Sequence, residues 1–264
     1  MTWTSALRRA AVARLPKAWQ PAASYHYYRA RSQLDRELPI VCHALRPGSL
    51  AIDVGANEGV YTHAFVRTGA FVEAFEPQPA CLQVLRSYER RHANVRVRGH
   101  ALGAAHSTGI LRVPVRNGHE VTGWGSLRDH GQRGAEAAVE HNVEIRTLDS
   151  FGFRDVALIK IDVEGSELDV TRGARATIET WRPLLLVELE QRYHAEPIAR
   201  AFDELTALGY RGSFLDPRDG LRPLSQFDPA IHQALANADV PGAPYVNNFI
   251  FAPLERAGAS MERR

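Results

Sequence analysis

Three short segments carry residues whose types and spacing could do chemistry. The first is Ala51-Ile52-Asp53-Val54-Gly55-Ala56-Asn57-Glu58-Gly59-Val60-Tyr61. It reads as a buried strand ending in an acid, a tight glycine loop and the first turn of a helix. Glycines there let the backbone approach a bound nucleoside closely, and the carboxylate can bond its polar atoms. The second, Phe71-Val72-Glu73-Ala74-Phe75-Glu76-Pro77, reads as the next strand. Its Glu76 lies 23 residues after Asp53, at the strand tip where a ribose diol would be held, and Pro77 ends the ladder. The third is Ala157-Leu158-Ile159-Lys160-Ile161-Asp162-Val163-Glu164-Gly165. Regular alternation would put Lys160, Asp162 and Glu164 on one face, at the carboxyl end where doubly wound sheets bind ligands. Each segment also has a plainer reading: a glycine turn, a solvated strand end, a structural ion network.

Spacing narrows the ligand. The loop is D-x-G-x-x-x-G, with Asn57 where the dinucleotide fingerprint needs glycine, and no G-x-x-x-x-G-K-[ST] phosphate loop occurs. This points to S-adenosylmethionine rather than NAD or ATP.

The remaining composition bounds the class. A chain of 264 residues, 45% hydrophobic and 23% charged, can bury one α/β core with embellishments. A net charge of only +2 gives no general nucleic-acid footprint. Cys42 and Cys81, the only cysteines, form neither a metal-ligand pattern nor a disulfide framework, so a reducing, cytoplasmic setting is expected. No apolar run approaches the roughly 20 residues that span a bilayer. Of 32 basic residues only Lys17 and Lys160 are lysines, and Lys160 sits inside an apolar strand, where a charge is costly unless paired.

The elements that must position these residues alternate. Strands are expected at 50–54, 71–76, 95–99, 157–163, 184–190, 210–215 and 246–252, with helices near 59–68, 79–92, 166–180 and 196–208. This is a Rossmann-like, mostly parallel sheet with helices on both faces. Two additional strands, Gly109–Val115 and Asn142–Leu148, interrupt it after the third strand. They flank a polar loop, 116–141, whose Trp124 could stack on a substrate ring. The expected division is a helical arm over 1–46, broken at Pro16, a domain over 47–254, and a flexible tail over 255–264.

These segments together give a family resemblance. The chain resembles the FkbM-type S-adenosylmethionine-dependent methyltransferases. The matching segments are Ile52–Gly59, Phe75-Glu76-Pro77, Ala101-Leu102-Gly103, Thr147-Leu148-Asp149, Ile159–Glu167 and Leu186-Val187-Glu188, with an echo at Asn248–Phe251. The resemblance implies a seven-stranded class I methyltransferase fold. It also implies methyl transfer to oxygen, commonly a hydroxyl of a sugar, glycolipid or polyketide-like acceptor. Asp53, Gly55, Asn57, Glu58 and Gly59 would surround the methionine end of the cofactor, with Asp162 close by. Glu76, with Pro77, would take the ribose hydroxyls, and Ala101 and Leu102 would border the adenine.

An alcohol is a poor nucleophile, so a base helps remove its proton while the enzyme aligns oxygen, methyl and sulfur. Asp162 and Glu164 are the leading candidates, Lys160 would orient them, and Glu188 is a further candidate. No His-rich or Asp-pair motif calls for a metal, and His26, His100, His119 and His141 are given no catalytic role. An NAD-dependent oxidoreductase or epimerase is disfavoured by Asn57 and by the lack of a Tyr-x-x-x-Lys pair. A nonenzymatic nucleotide-binding module is disfavoured by charges inside a strand. The basic amphipathic pattern of residues 1–20 would allow peripheral membrane contact. Tyr25-His26-Tyr27-Tyr28-Arg29 could line a sugar site or pack the helix on the core.

Overall fold

The computed structural model describes residues 12–128, 135–237, 240 and 243–255. Helices α1 (Gln20–Ala30) and α2 (Leu38–His43) come first. The chain then alternates through β1 (Leu50–Val54), α3 (Val60–Val66), β2 (Phe71–Phe75), α4 (Pro79–Glu89) and β3 (Val95–Arg98). Next come β4 (Ala101–Leu102), β5 (Ser107–Arg116), β6 (His119–Glu120) and β7 (Ala137–Arg146), all strands. Alternation resumes with β8 (Val156–Ile161), α5 (Glu167–Gly173), α6 (Arg175–Trp181), β9 (Leu184–Glu188) and α7 (Ala199–Ala207). The chain ends with β10 (Tyr210–Asp216), β11 (Gly220–Pro223), α8 (Pro229–His232) and β12 (Asn248–Pro253).

The main sheet has the order β11-β10-β12-β9-β8-β1-β2-β3. Its five strands from β9 to β3 are parallel, and β12 is inserted antiparallel between β9 and β10. The α/β doubly wound class is as expected, with one correction: the sheet has eight strands. The eighth, β11, is a hairpin return from β10, made by Asp216 Oδ1 accepting the amides of Arg218 and Asp219 and by Gly220 at φ +79°. A turn this local leaves β11 no choice but to pair beside β10.

The expected two-strand insertion is larger than predicted. β5 and β7 pair antiparallel over nine positions and, with β4 and β6, build a separate four-stranded sheet. Both long strands run further than their apolar cores suggest, so the polar loop between them shrinks to 117–136. The third-segment strand, in contrast, ends at Ile161. Glu164 (φ +54°) and Gly165 (φ +100°) are left-handed, which turns the chain before alternation can continue.

Apolar side chains pack on both faces of the main sheet. One layer gathers Ile52, Ile159, Ile161, Val187, Phe214, Phe249 and Phe251 beneath α5, α6 and α7. The other joins Ala51, Val72, Leu158 and Leu186 to Phe65 of α3 and to Leu38, Val41 and Leu45. Residues 38–45 are thus part of the core that supports β1, not an appendage. Within the amino-terminal stretch tied to membrane contact, residues 1–11 lie outside the described residues. Trp19 is exposed with Arg91 over its ring. Most of the expected tail, 256–264, also lies outside them. No helix among the described residues is long and apolar enough to cross a membrane.

Leu38 is 3% exposed within that second layer. Leu38→Ala should therefore cost about 2–3 kcal/mol in urea unfolding. A loss near zero would mean that this segment is dispensable to the domain.

Candidate functional site

The site begins where β1 ends. Gly55 and Ala56 both donate backbone amides to the Phe75 carbonyl, which locks the glycine loop against β2. Gly55 is left-handed (φ +75°), and a Cβ there would fall 1.8 Å from the Asp162 carbonyl oxygen. Only glycine lets the β1 and β8 ends approach this closely. Asn57 follows at φ +48°, a conformation asparagine tolerates better than most residues. Its amide donates to Glu76 Oε2 at 2.7 Å, and Gln78 donates its own to Oε1 at 2.8 Å. The Glu76 carboxylate is thereby fixed at the β2 tip, 7% exposed, with lone pairs still free for further donors. Burial pushes its pKa up to about 7, against the pull of its two backbone hydrogen bonds.

Between these loops lies a cleft of about 630 Å³. Its polar end is formed by Gly55, Asn57, Glu76, Asp162 and Glu164; Pro77, Ala101, Leu102, Leu111 and Leu127 form an apolar slot. The second sheet supplies Leu111, and its Gly123–Leu127 loop arches over the opening. Ser126 pins that loop, donating its hydroxyl to the Glu164 carbonyl at 2.7 Å.

Lys160 organises the floor. It is 4% exposed and donates to the Gly55 carbonyl at 2.9 Å, with Asp162 Oδ2 at 3.0 Å and Asp53 Oδ1 at 3.6 Å. Burial alone would lower its pKa, but the Asp162 and Asp53 carboxylates raise it above the ordinary lysine value. Lys160 is therefore a fixed cation. Asp53 is completely buried; Thr62 donates to its Oδ2 at 2.6 Å, while burial raises its pKa against the pull of Lys160. This corrects its expected place: Asp53 faces Lys160 and Thr62 beneath the loop and does not line the cleft. Gly59, left-handed at the start of α3, faces Leu85 and Pro21 rather than a ligand, and Glu58 lines a neighbouring hollow.

Asp162, Glu164 and Glu188 are brought together, but not by one strand face. Asp162 follows the last residue of β8 and lines both the cleft and the neighbouring hollow. Glu188, at the end of β9, hydrogen-bonds Asp162 and accepts from Asn247 Nδ2 at 2.6 Å. Burial, then the Asp162 and Glu164 charges, raise Glu188 well above the ordinary carboxyl range, and its hydrogen bond with Asp162 acts in the same direction. Glu164 is pushed up to about 8 by burial and by Asp162, with a hydrogen bond from Tyr193 opposing. Its left-handed turn is held by Glu167 Oε1, which accepts the amides of Val163 (3.3 Å) and Gly165 (2.9 Å).

Several residues beside the site were given no role from the sequence, although Tyr61 ends the first of the three segments. Asp35 accepts from the Tyr61 hydroxyl at 2.8 Å, and the Tyr61 ring lies 5.2 Å from the Lys160 ammonium. Tyr193 holds Glu164, and Leu111 lines the slot. None stands in a chemical motif, and only the fold brings them near Asp162. Trp124 lies at the border of two hollows, with the Arg116 guanidinium 4.7 Å from its ring centre. Among the described residues no group of three His, Cys, Asp or Glu side chains could hold a metal ion.

The model of the FkbM methyltransferase domain matches residues 53–211, more than half of the chain. The chain belongs to the FkbM methyltransferase family. It is 28% identical over 173 residues to methyltransferase sdnD of Sordaria araneosa, covering 50% of this chain and 66% of that protein. The crystal structure of an FkbM methyltransferase from Methylobacillus flagellatus KT shares the fold. Its TM-score is 0.50 at 17% identity, over 92% of this chain and 57% of that one. The chain thus spans less than two thirds of either relative's length.

S-adenosylmethionine is the cofactor this FkbM domain implies, and the cleft fits it. The acidic, hydrogen-bond-accepting tip at Glu76 suits a ribose diol. The apolar slot at Ala101, Leu102 and Leu111 suits a flat base. Gly55 and Asn57 line the other end of the cleft.

Two outcomes follow. Gly55→Ala adds a Cβ into the Asp162 carbonyl at positive φ and should cost roughly 3 kcal/mol or more in urea unfolding; a cost below about 1 kcal/mol would show that the two strand ends can part. Ribose hydroxyls donate better to ionised Glu76, whose pKa near 7 in the free protein exceeds the ordinary 4.5. Calorimetric affinity for S-adenosylmethionine should therefore rise from pH 6 to pH 8, and Glu76→Gln should remove that component. An identical pH profile in the variant would exclude Glu76 as the ribose ligand.

Proposed function

We propose that this FkbM protein is an S-adenosylmethionine-dependent O-methyltransferase acting on a hydroxyl of a sugar, glycolipid or polyketide-like molecule. One observation carries the reading: the Asp162 carboxylate stands at the junction of the cofactor cleft and the adjoining hollow, backed by Lys160 and Glu188.

Bound S-adenosylmethionine would supply a methyl group on a positively charged sulfur for transfer to the acceptor oxygen, leaving neutral S-adenosylhomocysteine. The protein's part is alignment and proton removal. Asp162, reached from the hollow, accepts the hydroxyl proton. Lys160, held by the Gly55 carbonyl, fixes the carboxylate and the glycine loop as one unit. Glu188 hydrogen-bonds Asp162 from behind and so orients the oxygen that faces the acceptor. Glu164 borders the cofactor cleft and is a second candidate base, with Tyr193 setting its direction. Glu76 takes the ribose diol, Gly55, Asn57 and Pro77 shape the passage, and Ala101 and Leu102 bound the base. Asp53 and Gly59 act through packing, and Glu58 borders the acceptor side.

The test is incubation with methyl-labelled S-adenosylmethionine and a panel of glycosides, glycolipids and polyketide alcohols, with products located by mass and NMR. A methyl ether is expected. Asp162→Asn should lower turnover by about 100-fold or more, with cofactor affinity within about twofold. Methylation at nitrogen or carbon, or full turnover by that variant, would overturn the assignment.

A further inference from the structure

The outer face of α4 takes no part in the cleft or the hollow beside it. The single helical turn Lys17–Trp19, which leads into α1, packs along α4. Lys17 donates to the Gln83 side chain, and the Arg91 guanidinium lies 5.8 Å from the Trp19 ring centre. Two stretches of chain, 12–34 and 77–99, meet there. Between them they hold nine basic residues and one acid. Their net charge of +8 leaves −6 for the rest of a chain whose total is +2. The positive charge of this protein is therefore gathered rather than spread.

Most of these charges face solvent. Arg14, Lys17, Arg86, Arg90, Arg91 and Arg96 are exposed, and none has an ion-pair partner among the described residues. Arg98 is answered by Glu73 at 2.8 Å. The one acid, Glu89, is turned toward β3, where its Oε1 accepts the Val97 amide at 3.2 Å. Gln83, Arg86 and Arg90 follow at three- and four-residue steps, so they share the outer side of α4. Apolar surface stands beside these cations: Trp19 is 56% exposed and Leu15 is 42% exposed. The Gln20 side chain donates to the Leu15 carbonyl at 2.9 Å and ties that residue to the start of α1.

We infer that this face docks on an anionic lipid surface, with the arginines at the headgroups and Trp19 and Leu15 entering the interface. Basic residues near such a surface are drawn to it by its potential, and tryptophan suits the headgroup depth because its ring is amphipathic. No helix among the described residues is long and apolar enough to span the bilayer, so this contact is peripheral. The net negative charge of the remaining chain turns its other faces away, which gives the contact an orientation. Nucleic acid is the other large polyanion. It would stack a base on an open aromatic face, and Arg91 already lies over the Trp19 ring. The inference goes beyond the methyl-transfer reading and stands without it. It also relates the membrane to the site: α1 starts at this face, and about 16 Å on, its last turn carries Tyr28 to the hollow that Asp162 lines.

The test is co-sedimentation of the full chain with vesicles of phosphatidylcholine, either pure or with about one third phosphatidylglycerol. Binding to the anionic vesicles alone is expected, and it should weaken as salt rises. Arg86→Glu combined with Arg90→Glu should weaken it by about 30-fold or more at physiological salt. Arg154→Glu combined with Arg211→Glu makes the same change of net charge at exposed positions outside the two stretches. It should leave vesicle binding within about twofold, because charges beyond a Debye length are screened. Trp19→Ala should weaken binding at low and high salt alike. Affinity for S-adenosylmethionine, measured on every variant, should stay within about twofold of the parent and so report an intact fold. Equal binding to both vesicle types, binding to neither, binding that survives the α4 double reversal, or equal losses in the two double variants would overturn the face. So would a labelled RNA oligomer captured in preference to the anionic vesicles. A protein that binds anionic vesicles as expected but no S-adenosylmethionine would support the face and defeat the methyl-transfer reading alone.

Discussion

A single ammonium group, Lys160 Nζ, is held among the Gly55 carbonyl, Asp162 and the sealed Asp53 carboxylate. A charge removed from water is costly unless its partners replace the lost solvation, and removing one partner strands the other. The contact therefore binds three pieces of chain into one body: the end of β1, the glycine loop and the end of β8. Lysine suits the place better than arginine, because a compact point charge can serve three acceptors from one small volume. In a chain that otherwise uses arginine almost everywhere, that choice stands out. Through Lys160 the glycine loop and the Asp162 carboxylate share one geometry.

Around this cation the acids are graded by environment. Glu76 accepts two backbone amides and still sits near neutrality because burial outweighs them. Glu188 is raised well above the ordinary carboxyl range by burial and by its carboxylate neighbours. Glu164 sits between these cases, in a backbone conformation that costs a non-glycine residue of order 1 kcal/mol or more. That turn persists because Ser126, Glu167 and Tyr193 hold it from three sides. The segment after β9 contributes repeatedly: Glu190 to Tyr245, Tyr193 to Glu164, and His194 to Glu167 at 3.2 Å. The acceptor side is thus tied to the carboxyl end of the sheet by side chains from one short stretch.

The glycine loop and the acid at the β2 tip were legible because their rules are local. A glycine that must be left-handed, an acid at a strand tip and a proline that stops the ladder leave marks at fixed spacings in the chain. Pairings across the fold leave no such marks. Regular alternation put Glu164 on the face of Lys160, but a left-handed turn ended the strand at Ile161. Asp53 occupies a motif position and points inward, because Thr62 and Lys160 offer a buried carboxylate more than a solvent-lined cleft does. Asp35 stands in a segment that reads only as an arm, and Leu38, Val41 and Leu45 anchor that segment on the core, beside the hollow that Asp162 lines.

By itself the sequence determined the doubly wound α/β class, the FkbM likeness, the nucleoside-binding loop, Glu76 and the charged cluster at Lys160. Those follow from periodicity and from residue types whose backbone demands are short-range. Tertiary structure alone decided the eighth strand, the extent of the second sheet beside the cleft, and the pairing of Glu188 with Asp162. Each depends on which distant surfaces are buried against one another, and burial in turn shifts the pKa of the carboxyl groups enclosed there.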